Sequence, residues 1–432
     1  MFKFRYLNLN RQELKTFQLH TLYRALEGVV LGVIALNEYV FIRSMMGTNY
    51  QLAFLFQFSV VVYVFLLFFN EIRKRIRNKK LMLRVTALIT RLPLFILLFF
   101  PRSTEEMESV AIYHYVFLGI FLVYYLGNII IFPAINVLLK TNYRHQNFGK
   151  LYSYSTSLNK LITLVSIFLY GLMLDADQFF YVYVFPVVAI LDILGVFFLS
   201  KIDYSKVIQK VQQGTLGTAV SASFKGIWNI LKTNRPYLHF ELGFMLYGFS
   251  FMVSHTIINI YFKEALGLNY SSVAFYKNAY NILAILILPF FGRLLGNIDP
   301  RKFAVITFAS LLFFITFTML TEYLPYHITI WEIDIYMMLI IAYLFYGLFA
   351  ATMVLLWNIG SAYFCAPEEA DDYQSIHLSL TGIRSLFAPI LGVFIYEMAG
   401  FTLTFSIGIL MILLAILLMI WSYNNDRVAL RS

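Results

Sequence analysis

The chain consists of apolar runs of about 20 residues, one after another, separated by short segments that carry the charges. That length is what an α-helix needs to cross the roughly 30 Å hydrocarbon core of a bilayer, where lipid offers no partner to an unpaired backbone group. Of 432 residues, 60% are hydrophobic and 13% charged, against about 45–50% apolar in soluble domains even with glycine counted. An ordinary soluble enzyme is thereby excluded. Runs bounded by charge clusters, Pro or Gly predict an all-α membrane protein of twelve transmembrane helices at about 20–42, 50–70, 81–100, 110–139, 149–174, 178–200, 237–262, 271–293, 303–322, 334–362, 373–398 and 401–423. The longest internal polar segment follows the sixth. The expected organisation is an N-terminal six-helix bundle over 1–200, a linker over 201–236 and a C-terminal six-helix bundle over 237–432.

Lys and Arg number 33 against 23 Asp and Glu, a balance of +10. Nucleic-acid binding is one reading of that sign, and the cytoplasmic loops of a membrane protein the other. Placing the termini and every second loop on one side collects most of the cations there: Lys3 to Lys15, Arg73 to Lys80, Lys140 to Lys150, Lys201 to Arg235, and Arg293, Arg301 and Lys302. The opposite loops are short and rather acidic, with Glu105, Glu106, Asp175 and Asp177; loop 363–372, on the basic side, breaks the pattern with Glu368, Glu369, Asp371 and Asp372. The expectation is a multi-pass plasma (inner) membrane protein, both termini cytoplasmic, with the lipid bilayer as partner and no nucleic acid. The polar, basic N-terminus lacks the apolar core and cleavage site of a signal peptide, so the first span is expected to direct insertion. The single cysteine, Cys365, excludes a disulfide framework and any multi-cysteine metal site. No HExxH, GxSxG or P-loop pattern occurs, and neither a cofactor, a metal nor an enzymatic activity is expected.

An internal repeat fits this organisation. Sliding the chain by 222 residues brings Asn37 and Tyr39 onto Asn259 and Tyr261, Lys79-Lys80 onto Arg301-Lys302, and Asn136 onto Asn358. With an even number of spans per half, such a repeat is parallel, its axis along the membrane normal. The loop after span eight runs from Gly292 to the basic pair Arg301-Lys302. Together these features resemble the major facilitator superfamily of secondary transporters, whose conserved loop motif opens with Gly and ends in paired basic residues. Here the motif's acidic position is Gly296 and its second glycine is Asp299, and the loop after span two keeps only the basic end. The resemblance implies two pseudo-symmetric six-helix bundles that rock about a central site, with spans 1, 4, 7 and 10 lining the cavity and 2, 5, 8 and 11 forming the seam. It also implies a conformational latch at Gly292, Arg301 and Lys302.

Ionisable side chains inside spans cost at least about 2.5–3.5 kcal/mol at mid-depth and mark functional positions. Span 1 carries Glu27 and Glu38, eleven residues apart and so expected on one face of a continuous helix. Its Gly28–Gly32 pair reads as a close-packing face. Span 7 offers Glu241, His255 and Asn259. Three seam helices carry cations: Lys160, Lys277 and Arg384, the last on a stripe with His377 and Thr381. Three cations at one cavity would favour an anionic substrate. The expected substrate-binding set is Lys160, Arg384, Lys277, Asn37, Asn259, Asn136, Asn358 and His377; the proton-coupling candidates are Glu27, Glu38, His255 and Glu241. The plain alternative is that the three cations pair with Glu27, Glu38 or Glu241. Arg91 and Asp192, at similar depth on peripheral helices, are expected to form a structural pair, and His114 and Glu397 to be interfacial. The function so read is secondary active transport of a small anionic or amphiphilic solute with protons, by a monomer. The alternatives are drug or lipid efflux by proton antiport, for which the 31 Tyr, 44 Phe and 15 Met suffice, and a transporter-like scaffold that does not transport.

Overall fold

The structure is a computed structural model. It describes residues 9–66, 68, 69, 72, 76, 78–203, 228–295, 297–365 and 370–429, and is almost entirely helical. In chain order come α1 (Arg11–Ile34), α2 (Asn37–Arg43), α3 (Asn49–Val61), α4 (Lys79–Arg91), the short α5 (Thr104–Ser109), α6 (Ile112–Asn142), α7 (His145–Ala176) and α8 (Tyr181–Leu199). There follow α9 (Arg235–Glu264), α10 (Tyr270–Leu295), α11 (Pro300–Tyr323), β1 (His327–Ile330), β2 (Ile333–Tyr336), α12 (Met337–Ile359), α13 (Ala370–Ser385) and α14 (Ala388–Ala429). The middle of the expected linker and the basic residues Arg73, Lys74, Arg75 and Arg77 lie outside the described residues.

Local chemistry sets the helix starts. Asn10 and Glu13 form a reciprocal capping box at α1, Thr48 and Gln51 another at α3, and Pro236 and Pro300 occupy first-turn positions whose missing N–H would have had no partner. Among the described residues, ten helices are long and apolar enough to cross a membrane, and Asn49–Phe65 is a shorter apolar one. The last of the ten, Tyr373–Asp426, would be about 80 Å long as one rod. Gly400, with φ 76° and ψ −175°, interrupts it, a conformation open to glycine because it has no Cβ. It therefore makes two crossings, which brings the number to twelve.

The chain divides into two compact units, one formed by Met1–Met46 and Phe68–Leu216, the other by Gly47–Leu67 and Gly217–Ser432. In the first, α1 packs along α7 and α8. A side chain at Gly28 would stand 2.7 Å from the Asn159 carbonyl, and one at Gly32 2.4 Å from the Ser166 Cβ. The glycine pair is the close-packing face. At the unit's end, buried Glu13 accepts hydrogen bonds from the Arg144 N–H at 2.9 Å and the Asn147 amide at 3.1 Å, fastening α1 to the α6–α7 turn. Beside it the Tyr143 hydroxyl meets His20 Nδ1 at 3.2 Å, and burial pushes the Tyr143 phenol above its ordinary range. In the second unit, α9 lies along α14, α11 against α12 and α14, and α3 against α13 and α14. Phe56 of α3 there joins Met252, Val253 and Ala388.

Three features were not expected from the sequence. First, spans are broken where the apolar pattern is continuous. The first helix stops at Ile34 and restarts at Asn37; α3 and α4 tighten into 3-10 turns at Val62–Phe65 and Leu92–Phe99, the latter holding Pro93; and α13 ends at Ser385 before α14 begins at Ala388. The one-face argument for Glu27 and Glu38 therefore fails, because it needs a single 3.6-residue period across residues 34–37. Second, His114, in the first turn of α6, is 4% exposed and meets the Met45 carbonyl at 2.7 Å through Nε2, so it is packed inside the protein. Third, the connection between α11 and α12 is an antiparallel hairpin with Ile330 opposite Ile333. Trp331 and Glu332 at its tip both have positive φ, 49° and 62°, the conformation of a type I′ turn usually built from Asn and Gly. The tip's Glu332 carbonyl accepts the Asn269 amide at 2.6 Å, the Asp334 N–H bonds the Ser272 hydroxyl at 2.9 Å, and Tyr276 bonds the Asp334 carbonyl at 3.0 Å. These positions on and before the first turns of α10 hold β2 along that helix.

Candidate functional site

Within the first unit, α1 presents Glu27, 6% exposed. Its Oε1 accepts the Tyr23 hydroxyl at 2.7 Å, and its Oε2 accepts the Asn159 amide at 3.2 Å and the Arg24 guanidinium. Arg24 reaches on to the Thr156 hydroxyl at 3.5 Å. Lys160, exposed one turn farther along α7, is near enough for the charges of Arg24 and Glu27 to act on it. The partner of Glu27 is thus Arg24, not one of the three cations proposed as its ties.

Deeper in this unit Arg91 and Asp192 come together, Nε to Oδ2 at 2.9 Å, at 2% and 4% exposure. Tyr124 donates to the same carboxylate at 3.2 Å. The rest of the guanidinium is also used: Nη1 donates to Thr90 Oγ1 at 2.7 Å and to the Tyr124 carbonyl at 3.0 Å, and Nη2 to Asn128 Oδ1 at 2.6 Å. The Tyr124 ring lies 4.3 Å below it. Gly127 leaves room for this, since a Cβ there would stand 2.3 Å from Nη1. Between the two clusters is a cavity of about 40 Å3 lined by Tyr23, Glu27, Arg91, Tyr124, Asn128 and Asp192, large enough for a few waters. Asn37, 1% exposed with an unpartnered Oδ1, neighbours Tyr125, and the charge of Glu38 acts on that same tyrosine.

Within the second unit, α9 and α13 run side by side in two layers. In one, Glu241 of α9 faces His377 of α13: Nδ1 lies 3.1 and 3.2 Å from the two carboxylate oxygens. The imidazole is held edge-on between Phe244 at 4.7 Å and Trp357 at 4.9 Å, and its Nε2 is buried without a partner. Seven residues along both helices lie Gly248 and Arg384. Arg384 is 2% exposed; Nη1 donates to the Phe244 carbonyl, the guanidinium lies 5.7 Å from the Tyr247 ring centroid, and Nε is buried without a partner. A Cβ at Gly248 would stand 1.9 Å from the guanidinium carbon, so the cation rests on bare backbone. None of the described ion pairs includes Arg384.

The remaining candidates are more dispersed. His255 is half-buried against Phe56 and Phe251, each at 5.1 Å, with Nδ1 unpartnered; the Lys277 charge acts on it, and Asn259 donates to its carbonyl at 3.4 Å. The side chains of Asn136 and Asn358 lie outside the described set. In the motif loop Gly292 is exposed and Gly296 lies outside the described residues. Arg301 is 6% exposed: Nε and Nη2 grip Asp299 at 3.1 and 3.0 Å, and Nη1 reaches Asp426 and the Ser422 hydroxyl, the latter at 3.1 Å. Lys302 lies 4.3 Å from the Tyr423 ring centroid. Asp299, standing at the motif's glycine position, is thus an acid paired with the motif's own Arg301. The sequence reading missed Arg24, Asn159, Tyr124 and Asp426 as partners; Arg24, three residues before Glu27, was the one with a signal, an i,i+3 pair.

The sequence profile of the major facilitator superfamily matches residues 26–333 and, beginning again in the second half, 242–431. The chain belongs to the major facilitator superfamily. No curated protein sequence matches it. Among solved structures, the nucleoside transporter NupG is similar at 14% identity with a TM-score of 0.67, over 96% of this chain and 99% of that one. A D-xylose–proton symporter aligns at 12% identity and a TM-score of 0.63, over 94% and 97%, and a peptide transporter solved with sulfate at 12% and 0.66, over 96% of each. At these identities the likeness is one of fold. As a member of the superfamily the chain is a multi-pass secondary transporter of small solutes and not an enzyme.

Proposed function

We propose that the solute is a small anion or an amphiphile with an anionic head, moved by alternating access together with protons, and that Arg384 meets its charge. The observation that carries this is the state of Arg384: an always-ionised side chain, buried in the membrane-spanning part of α13, held by one backbone carbonyl and lacking an ion-pair partner among the described residues. The charge of Glu241 acts on it from two turns away, but no carboxylate touches the guanidinium among the described residues, and an anion in direct contact would stabilise it. We assign Lys160, Lys277, Asn37 and Asn259 to solute binding, and Glu27, Glu38, His255 and Glu241 to proton coupling. The distribution of Lys and Arg supports cytoplasmic termini. That two structural relatives are named as proton-dependent or proton symporters accords with coupling.

The test uses methane-, benzene- and naphthalenesulfonate, with neutral sulfonamide and cationic trimethylammonium counterparts of the same size, in thermal-shift titrations of the purified protein. Sulfonates are expected to stabilise the wild type and to lose that effect in Arg384→Ala, with partial retention in Arg384→Lys. Stabilisation by the cations alone would overturn the proposal and favour drug efflux.

A further inference from the structure

The Glu241–His377 pair lies two helical turns from Arg384 on the same two helices, with no other described ion pair between them. Its surroundings are closed and defined. From α9, Glu241 and Tyr237 face it, and Tyr237 donates to the Tyr373 carbonyl at 2.7 Å. On α13 itself lie Tyr373 and Arg384; Trp357 of α12 and Phe244 of α9 complete the ring contacts and do not titrate. Cys365 lies beyond Tyr237, close enough to act on it. Turn 62–65, which carries the titratable Tyr63, packs along α13 and meets it at Gly382 through Val64 and the Tyr63 backbone, and no described hydrogen bond brings that turn or α14 to the pair. Gln374, one turn before His377, is fixed by the Ser361 hydroxyl at 2.6 Å and the Trp357 carbonyl at 3.0 Å, so this stretch of α13 is anchored.

Counting charge over the three groups gives the consequence. With the pair unprotonated, the Glu241 carboxylate balances the Arg384 guanidinium and the cluster is neutral. One proton on the pair, whether on the imidazole or the carboxyl, leaves the cluster at +1. The unpartnered Nε2 of His377 is the ring position not used by Glu241.

We propose that the Glu241–His377 pair takes up the coupling proton and that this uptake creates the net positive charge which holds the anion at Arg384. The inference rests on the reading of Arg384 as the anion site and adds the place, number and direction of the proton. Linkage is reciprocal: the anion binds more tightly to the protonated cluster, and the proton more tightly to the anion-loaded one. The sign follows directly. Anion affinity is greatest at pH below the pair's titration and falls as pH rises through it. His377 acts as a positioning and proton-holding residue, and Arg384 as the binding residue.

Benzenesulfonate, fully ionised throughout, serves as the probe. Its Kd for the purified full chain is measured by isothermal titration calorimetry between about pH 5 and 8, the range in which histidine ordinarily changes charge, in two buffers of different ionisation enthalpy. For the wild type, Kd is expected to rise with pH by up to about tenfold per unit, with about one proton taken up per anion. His377→Gln is expected to bind the probe with a Kd that no longer depends on pH and without proton uptake; Glu241→Gln, neutral at all pH values, should bind at least as tightly as the wild type at low pH and keep that affinity at high pH. An unchanged pH slope in both variants, with binding still lost in Arg384→Ala, would overturn the coupling inference and leave the anion site standing. Binding retained in Arg384→Ala would overturn the anion site itself. Loss of folding in His377→Gln is separated from loss of coupling by the melting temperature and by Glu241→Gln, which tests the same linkage from the other side.

Discussion

Arg91 and Arg384 are held by the same physical device and differ in what completes it. Each stands in the last turn of a helix segment that stops within its span, where unpaired carbonyls and the negative end of the helix dipole favour a cation. Arg91 adds a carboxylate and two side-chain oxygens, so that all three of its nitrogens donate, whereas Arg384 has a carbonyl and an orphaned Nε. Asp192→Asn is expected to leave Arg91 buried without a counter-charge and to destabilise the protein by about 3–5 kcal/mol, read as a fall in the melting temperature of the detergent-purified chain; Arg91→Met with Asp192→Leu should recover most of it. An unchanged melting temperature for Asp192→Asn would mean that the pair contributes nothing. At Gly248 a single methyl would occupy the guanidinium's place. Gly248→Ala should cost a charge-assisted contact of about 1.5–3 kcal/mol, or about ten- to a hundredfold in sulfonate affinity, in a chain that still folds; equal affinity in the two proteins would contradict the assigned position of Arg384. Arg384, His377, Glu241 and Glu27 were legible in the sequence because ionisable residues are rare in apolar runs. Their pairings were less so: the i,i+3 spacing made Arg24 available to Glu27, but whether Glu27 meets Arg24 or Lys160 depends on rotamers and helix contacts that spacing alone does not decide.

At the scale of elements, the crossings were legible because lipid demands long uninterrupted hydrophobicity, and the breaks were not because a broken and an unbroken span have the same composition. Residues 33–38 of the first span hold neither Pro nor Gly, yet the helix stops at Ile34 and restarts at Asn37. Such interruptions persist at membrane depth only where protein or a water-lined cavity satisfies the freed backbone. The hairpin was hidden for a related reason: its alternating Ile, Thr and Asp residues run directly into the apolar start of α12. Two non-glycine residues in left-handed conformation at its tip each cost about 1 kcal/mol or more. Replacing Trp331 by Asn and Glu332 by Gly should therefore raise the melting temperature while preserving the backbone bond from Asn269, and a lower melting temperature would show that the Trp331 side chain, 93% exposed here, contributes more than the strain removes.

For the whole molecule, two compact units each carrying its own buried ionic network, and α10 with nearly all of its apolar length exposed, describe a chain with an apolar surface suited to lipid and a few charges held inside each unit. The +10 balance needs no nucleic-acid partner, because basic loops on one side of a bilayer account for it. The same balance is the ground on which we propose cytoplasmic termini, and a membrane-impermeant biotin ligase substrate reaching a C-terminal tag only after permeabilisation of right-side-out vesicles is the expected result; labelling of intact vesicles would reverse the orientation. The central claim, that this member of the superfamily moves an anion with a proton by way of Arg384, is tested most directly by benzenesulfonate uptake into proteoliposomes under an inward proton gradient. The account predicts accumulation that collapses with a protonophore and is absent in Arg384→Ala, and accumulation by the wild type of a matched trimethylammonium cation but not of the sulfonate would contradict it.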